Sequence, residues 1–88
     1  MRENVIETSV VVCNEVGLHA RPAAAFVEAA GRFACEISIV HNGKEANAKS
    51  ILKVLALGVK KDTEIKLIAS GPDENEAIAT LCTLIKSF

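Results

Sequence analysis

Along the chain, stretches that alternate or are rich in β-branched residues give way repeatedly to stretches with the three-to-four-residue spacing of a helix, and these switches predict seven elements. Val5 to Val12 reads as a first, largely buried strand. Asn14 to Gly17 is expected to form a loop. From Ala20 to Ala30 the alanine content and the spacing of Phe26, Ala29 and Ala30, with Phe33 just beyond, predict a helix with Pro22 in its first turn and Gly31 at its end. Cys35, Ile37 and Ile39 then alternate with Glu36 and Ser38 as in a half-buried strand. Asn42-Gly43 is the preferred pair for a two-residue type I′ turn, which would set Ile39 opposite Ala46 and Ile37 opposite Ala48. Lys49 to Leu57 predicts a short second helix with Ser50 as N-cap and Gly58 past its end. Ile65, Leu67 and Ala69 alternate with Lys66 and Ser70 as a fourth strand. After a turn at Gly71-Pro72-Asp73, Asp73 and Glu76 have the spacing of a capping box, and Ile78, Leu81, Cys82 and Ile85 form the apolar stripe of a third helix.

The predicted order is βαββαβα. Four strands, three helices and one core pack most simply as an α+β two-layer sandwich, with the helices on one face of a largely antiparallel sheet. The chain has 88 residues, which suits a single domain over residues 1–88 and leaves too little apolar material for a roomy enclosed site, so chemistry is expected at the surface. Composition narrows the functions. Phe26, Phe33 and Phe88 are the only aromatic residues, which removes base-stacking platforms, and a net charge of −1 removes the overall basic footprint of a nucleic-acid binder. The first residues lack the pattern of a signal peptide, and no apolar run approaches the length of a membrane span, so a cytoplasmic protein without membrane insertion is expected. Cys13, Cys35 and Cys82 are odd in number and without paired spacing, which fits free thiols; with His19 and His41 they lack metal-ligand spacing, and no metal is expected.

Candidate chemistry concentrates in Gly17-Leu18-His19-Ala20-Arg21-Pro22-Ala23. The start of a helix carries unpaired N–H groups and the positive end of the helix dipole, a ready site for an anion. A neutral imidazole there is a competent nucleophile towards phosphorus, and the dipole favours the neutral form. Arg21 can set its guanidinium against phosphoryl oxygens. The alternative is a polar cap on an ordinary helix. The second helix argues against it: Ile51, Leu52, Val54, Leu55 and Leu57 spread around most of the helical wheel, more than one buried face can take. With Val54 and Leu57 assigned to the core, Ile51, Leu52, Leu55 and Ala56 remain as an exposed patch suited to a partner, unless the helix is sunk deep or closes a homodimer.

These residues resemble the HPr family of phosphocarrier proteins of the bacterial phosphoenolpyruvate-dependent sugar phosphotransferase system, over essentially the whole chain. Gly17 to Ala23 is similar to the family's active-site motif, and Asn47-Ala48-Lys49-Ser50-Ile51 with Leu57-Gly58 to its regulatory-serine motif. The resemblance implies the open-faced βαββαβα sandwich. It implies that His19 takes a phosphoryl group on Nδ1 from enzyme I, near Arg21, and passes it to enzyme IIA domains, as a carrier rather than an enzyme and without a cofactor. It also implies partner contacts at Ala20, Arg21, Ala24, Ile51, Leu52, Lys53, Leu55 and Ala56, in a protein expected to act as a monomer. Ser50 matches a serine that a kinase phosphorylates in many firmicute members, although Lys53 stands where those members commonly have glycine; a plain N-cap is the other reading. A carrier of the nitrogen-related branch and a regulatory docking module acting through the second helix are alternative functions. His41, before the Asn42-Gly43 turn, is expected to be a rim residue.

Overall fold

The computed structural model describes residues 5–13, 17, 18 and 20–88. Its elements are β1 (Ile6–Val12), α1 (Ala20–Gly31), β2 (Glu36–His41), β3 (Lys44–Asn47), α2 (Ile51–Ala56), β4 (Thr63–Ser70) and α3 (Glu74–Ser87), the expected βαββαβα order. Of the loop expected over Asn14 to Gly17, residues 14–16 lie outside the described residues, as does His19.

The four strands form one sheet in the order β1-β4-β2-β3, every neighbour antiparallel. β1 and β2 therefore run parallel with β4 between them, joined through α1, and β3 and β4 run parallel with β2 between them, joined through α2. The second pair points the opposite way and steps back across the sheet, so two right-handed crossovers place both helices on the same face. The hairpin forms as expected: Asn42 and Gly43 have φ of 52° and 80°, the type I′ signature, and Ile39 lies opposite Ala46. The Ala48 N–H donates to the Ile37 carbonyl at 3.0 Å, carrying the same register one pair further.

The core lies between that face and the helices. Ile37, Ile39, Ile65 and Leu67 point up from the sheet to meet Phe26 of α1 and Leu81 and Ile85 of α3, all essentially buried. Burying a side chain of this size contributes about 1.5–3 kcal/mol. Ala23, Ala30 and Ala77 are also fully buried and let the helices approach the sheet closely. The buried stripe of α3 is Ala77, Leu81 and Ile85, with Ile78 and Cys82 half-buried along its flank.

Three local expectations need correction. β1 is not largely buried: only Val10 and Val12 are, and Val11 is 42% exposed, because β1 is an edge strand of a sheet covered on one face. Gly31 closes α1 but is not among the positive-φ residues, so the helix ends without a left-handed cap. The Asp73–Glu76 capping box does not form. Asp73 stands at the N-cap position without a side-chain cap bond, because its carboxylate is engaged elsewhere, and Glu74 rather than Glu76 reaches back, its Oε1 accepting from the Gly71 N–H at 3.0 Å. Among the described residues, no helix is long and apolar enough to cross a membrane. All three cysteines are free thiols.

Candidate functional site at the start of α1

Gly17 and Leu18 are both buried where the chain approaches α1. Gly17 has φ of 64°, and a Cβ added to it would lie against the Val59 carbonyl oxygen and 2.7 Å from Lys60 Cα. Only glycine combines that backbone angle with that approach. The Leu18 N–H donates to the Val59 carbonyl at 3.0 Å. One residue after His19 the helix begins, with Ala20 and Arg21 exposed and Pro22 half-buried. The first turn of α1 contains no acidic residue, so nothing in that turn offsets the positive end of the dipole or fills the anion site made by its free N–H groups. Pro22 costs the turn no hydrogen bond, since its missing N–H belongs to that unpaired set. Arg21 adds an exposed cation.

α2 supplies the neighbouring surface. Val54 is completely buried, whereas Leu52 is 77% and Leu55 37% exposed; Lys53 and Ala56 are exposed and Leu57 is half-buried. The apolar patch is therefore real at Leu52, Leu55 and Ala56. Ile51 is the exception, half-buried and packed against the core. On α1, Ala24 is exposed beside Arg21's turn. Ser50 occupies the N-cap position of α2 with extended backbone, but its side chain makes no cap hydrogen bond. Asn47 organises that corner instead: its Oδ1 accepts from the Lys49 N–H at 2.9 Å, and its carbonyl from the Ser50 N–H at 3.1 Å.

α1 and α2 pack together and are tied at opposite ends. Lys49 Nζ, just before α2, donates to the Phe33 carbonyl, just after α1, at 2.6 Å; Val59, just after α2, holds Leu18, just before α1. The helices therefore run antiparallel, which puts the start of α1 beside the C-terminal end of α2 and Ser50 at the far end.

Sequence reasoning missed the junction around Asp73. Its Oδ2 accepts from the Ala34 N–H at 2.8 Å and its Oδ1 from the Cys35 N–H at 2.9 Å, pinning the start of β2 to the start of α3. The Ala34 bond, followed by one from the Cys35 thiol, holds the carboxyl below its ordinary range. Burial, followed by the adjacent Asp73, pushes the Cys35 thiol up to about 11. Gly71, at φ 148°, closes the same junction, since a Cβ on it would lie 2.6 Å from Cys35 Cβ. His41 is half-buried, and its Nδ1 is buried without a hydrogen-bond partner. Among the described residues, no three or more His, Cys, Asp or Glu side chains are placed to hold a metal ion. A groove of about 350 Å³ between β2 and β3 reaches Lys49 but not Arg21.

A family model for the PTS HPr component phosphorylation site matches residues 6–87. The chain is 42% identical over 82 residues to the HPr-like protein Crh of Bacillus subtilis (strain 168), covering 93% of this chain and 96% of that protein. It is 49% identical over 69 residues to the phosphocarrier protein HPr of Buchnera aphidicola subsp. Acyrthosiphon pisum (strain APS), covering 78% and 81%. The fold superposes on the crystal structure of HPr from Thermoanaerobacter tengcongensis with a TM-score of 0.91 at 45% identity, over 93% of this chain and 92% of that one.

Proposed function

The chain belongs to the HPr family of phosphocarrier proteins, and from that premise we propose that His19 is its phosphoryl carrier, charged by phospho-enzyme I and discharged to enzyme IIA domains. In the first exchange, the lone pair of His19 Nδ1 forms a bond to phosphorus while the donor's phosphorus–nitrogen bond breaks and its electron pair returns to the donor imidazole. The second exchange is the same step with His19 as donor. The carrier is regenerated and releases no small-molecule product of its own, so its role is that of a relay component rather than an enzyme. Two imidazoles exchange the group, so the protein's task is alignment and charge dispersal rather than further covalent chemistry.

The observation that carries this reading is the start of α1. A helix end with no acidic residue in its first turn, and with Arg21 exposed on it, directly follows His19, and that arrangement favours three phosphoryl oxygens. The exposed Leu52, Lys53, Leu55 and Ala56, with Ala20, Ala24 and the half-buried Ile51, form the proposed docking surface. All of these groups come from one chain, so a monomer is the proposed acting form. Ser50, with a hydroxyl that makes no cap bond, is a proposed site for a regulatory serine kinase. Similarity to the HPr-like protein Crh supports a second reading, a regulatory module that docks through α2.

Incubation with phosphoenolpyruvate, magnesium and enzyme I, read by intact mass, tests the proposal. A modification lost in acid and stable in base is expected on the wild type and absent from His19→Ala. An acid-labile phosphoryl group on His19→Ala would overturn the assignment, and a wild type that is never charged would leave the docking-module reading in its place.

A further inference from the structure

One segment, Gly58 to Asp62, is bonded both to the end of β1 at Val12 and to Leu18 on the approach to α1. The Asp62 N–H donates to the Val12 carbonyl at 2.6 Å and the Leu18 N–H to the Val59 carbonyl at 3.0 Å. Leu18 and Val59 are each 3% exposed, so the second bond is shielded from competing water. Between them Gly17 is pressed against the Val59–Lys60 peptide with no room for a Cβ. The clamp on Leu18 therefore lies one residue before His19 in the chain and two before Ala20, where α1 starts. The same segment is the exit of α2: Gly58, at φ 65°, donates its N–H to the Leu55 carbonyl at 3.2 Å, and Leu55 belongs to the proposed docking surface.

We propose that the Val59–Lys60 backbone is a positioning element for His19, fixing the phosphoryl acceptor relative to the α2 docking face through Gly17 and Leu18. This rests on the carrier reading. A partner seated on α2 presents its phosphorus at a set place, and the acceptor nitrogen must already be there, because transfer between two imidazoles draws its rate mainly from alignment. Gly17 is then a positioning residue that contacts neither donor nor phosphoryl group.

The test is Gly17→Ala, assayed for phosphorylation by enzyme I across a range of protein concentrations. Gly43→Ala serves as a control for backbone strain alone, since Gly43 has φ of 80° but open space around a Cβ. Gly17→Ala should lower the maximal rate by about ten-fold or more, as misplacement of a reacting atom does, with KM for the carrier within about two-fold of wild type; Gly43→Ala should lose melting temperature but keep both kinetic parameters. Val59→Ala, which loosens the anchor without forcing an atom into the loop, should show the same split in weaker form and covers the case in which Gly17→Ala fails to fold. Wild-type maximal rates in Gly17→Ala or in Val59→Ala overturn the proposal, as does a defect confined to KM, which would make the segment part of docking. A wild type that enzyme I never charges refutes the carrier reading itself.

Discussion

Asp73 shows what a single carboxylate does when two elements claim it. Its spacing to Glu76 reads locally as a helix cap, yet its oxygens are engaged by N–H groups 39 and 38 positions away. Nothing within a few residues of Asp73 encodes that, whereas Arg21 is legible as a candidate because the helix start lies beside it. The bonds to Asp73 favour its ionised form, so its folded pKa lies below the ordinary 3.8. The stability it contributes is therefore complete above pH 3.8 and is lost as pH falls through the lower folded value. Asp73→Asn should melt below wild type at pH 7, and the gap should narrow as thermal unfolding is repeated from pH 4 downwards. A gap of constant size down to the acid limit would show that charge on Asp73 is not what holds the tether.

At the scale of elements, α2 carries the most informative predictions. Its wheel had too much apolar surface for one buried face, and the structure divides it: Val54 inward, Leu52 outward, Ile51 between. Leu52→Glu should leave the melting temperature within a few degrees, as exposed substitutions usually do, and weaken titrated binding to both enzyme I and IIA. A large loss of stability with normal binding of the folded fraction would place Leu52 in the core. Ser50→Asp separates two effects of added charge. At the N-cap of α2 a carboxylate meets free N–H groups and the positive helix end, which is worth about 0.3–1 kcal/mol, so the melting temperature should hold or rise slightly. Ser50 lies at the end of α2 remote from the start of α1, about 9 Å of helix away for six residues, so its charge should raise KM for phosphorylation by enzyme I and leave the maximal rate near wild type. Added salt should restore part of the affinity if the effect is repulsion from an acidic partner. A lowered maximal rate at unchanged KM would instead place the charge against the reacting groups.

For the whole molecule, the sheet decides both stability and the placement of function. β4 is last in the chain but central in the sheet, paired on both sides, and Leu67 on it is fully buried. Leu67→Ala should cost about 2–5 kcal/mol in urea unfolding, whereas Val11→Ala, on the uncovered face, should cost about 0.5 kcal/mol or less. Equal losses would mean that the uncovered face packs as a second core. Charge follows the same division of labour: residues 44 to 61 hold five lysines against one glutamate in a chain of net charge −1, so the segment that contains α2 is cationic while the remainder is acidic. Such an asymmetry favours encounter with acidic surfaces through one side of the molecule.

What the sequence by itself determined was the kind and order of the elements, the register of the Asn42-Gly43 hairpin, and the helix start that follows His19. Each depends on residues within one or two turns of one another, where side-chain periodicity, a two-residue turn and a helix start leave a direct pattern. The tertiary structure alone decided that β4 inserts between β1 and β2, that β1 is left half-exposed at an edge, that Asp73 and Lys49 serve as ties between distant elements, and that Gly17 rests on Val59 and Lys60. Those outcomes depend on which surfaces meet when segments far apart in the chain close on one another, from the 16 positions between Phe33 and Lys49 upwards, and a loop's ends leave no local signature in the residues between them.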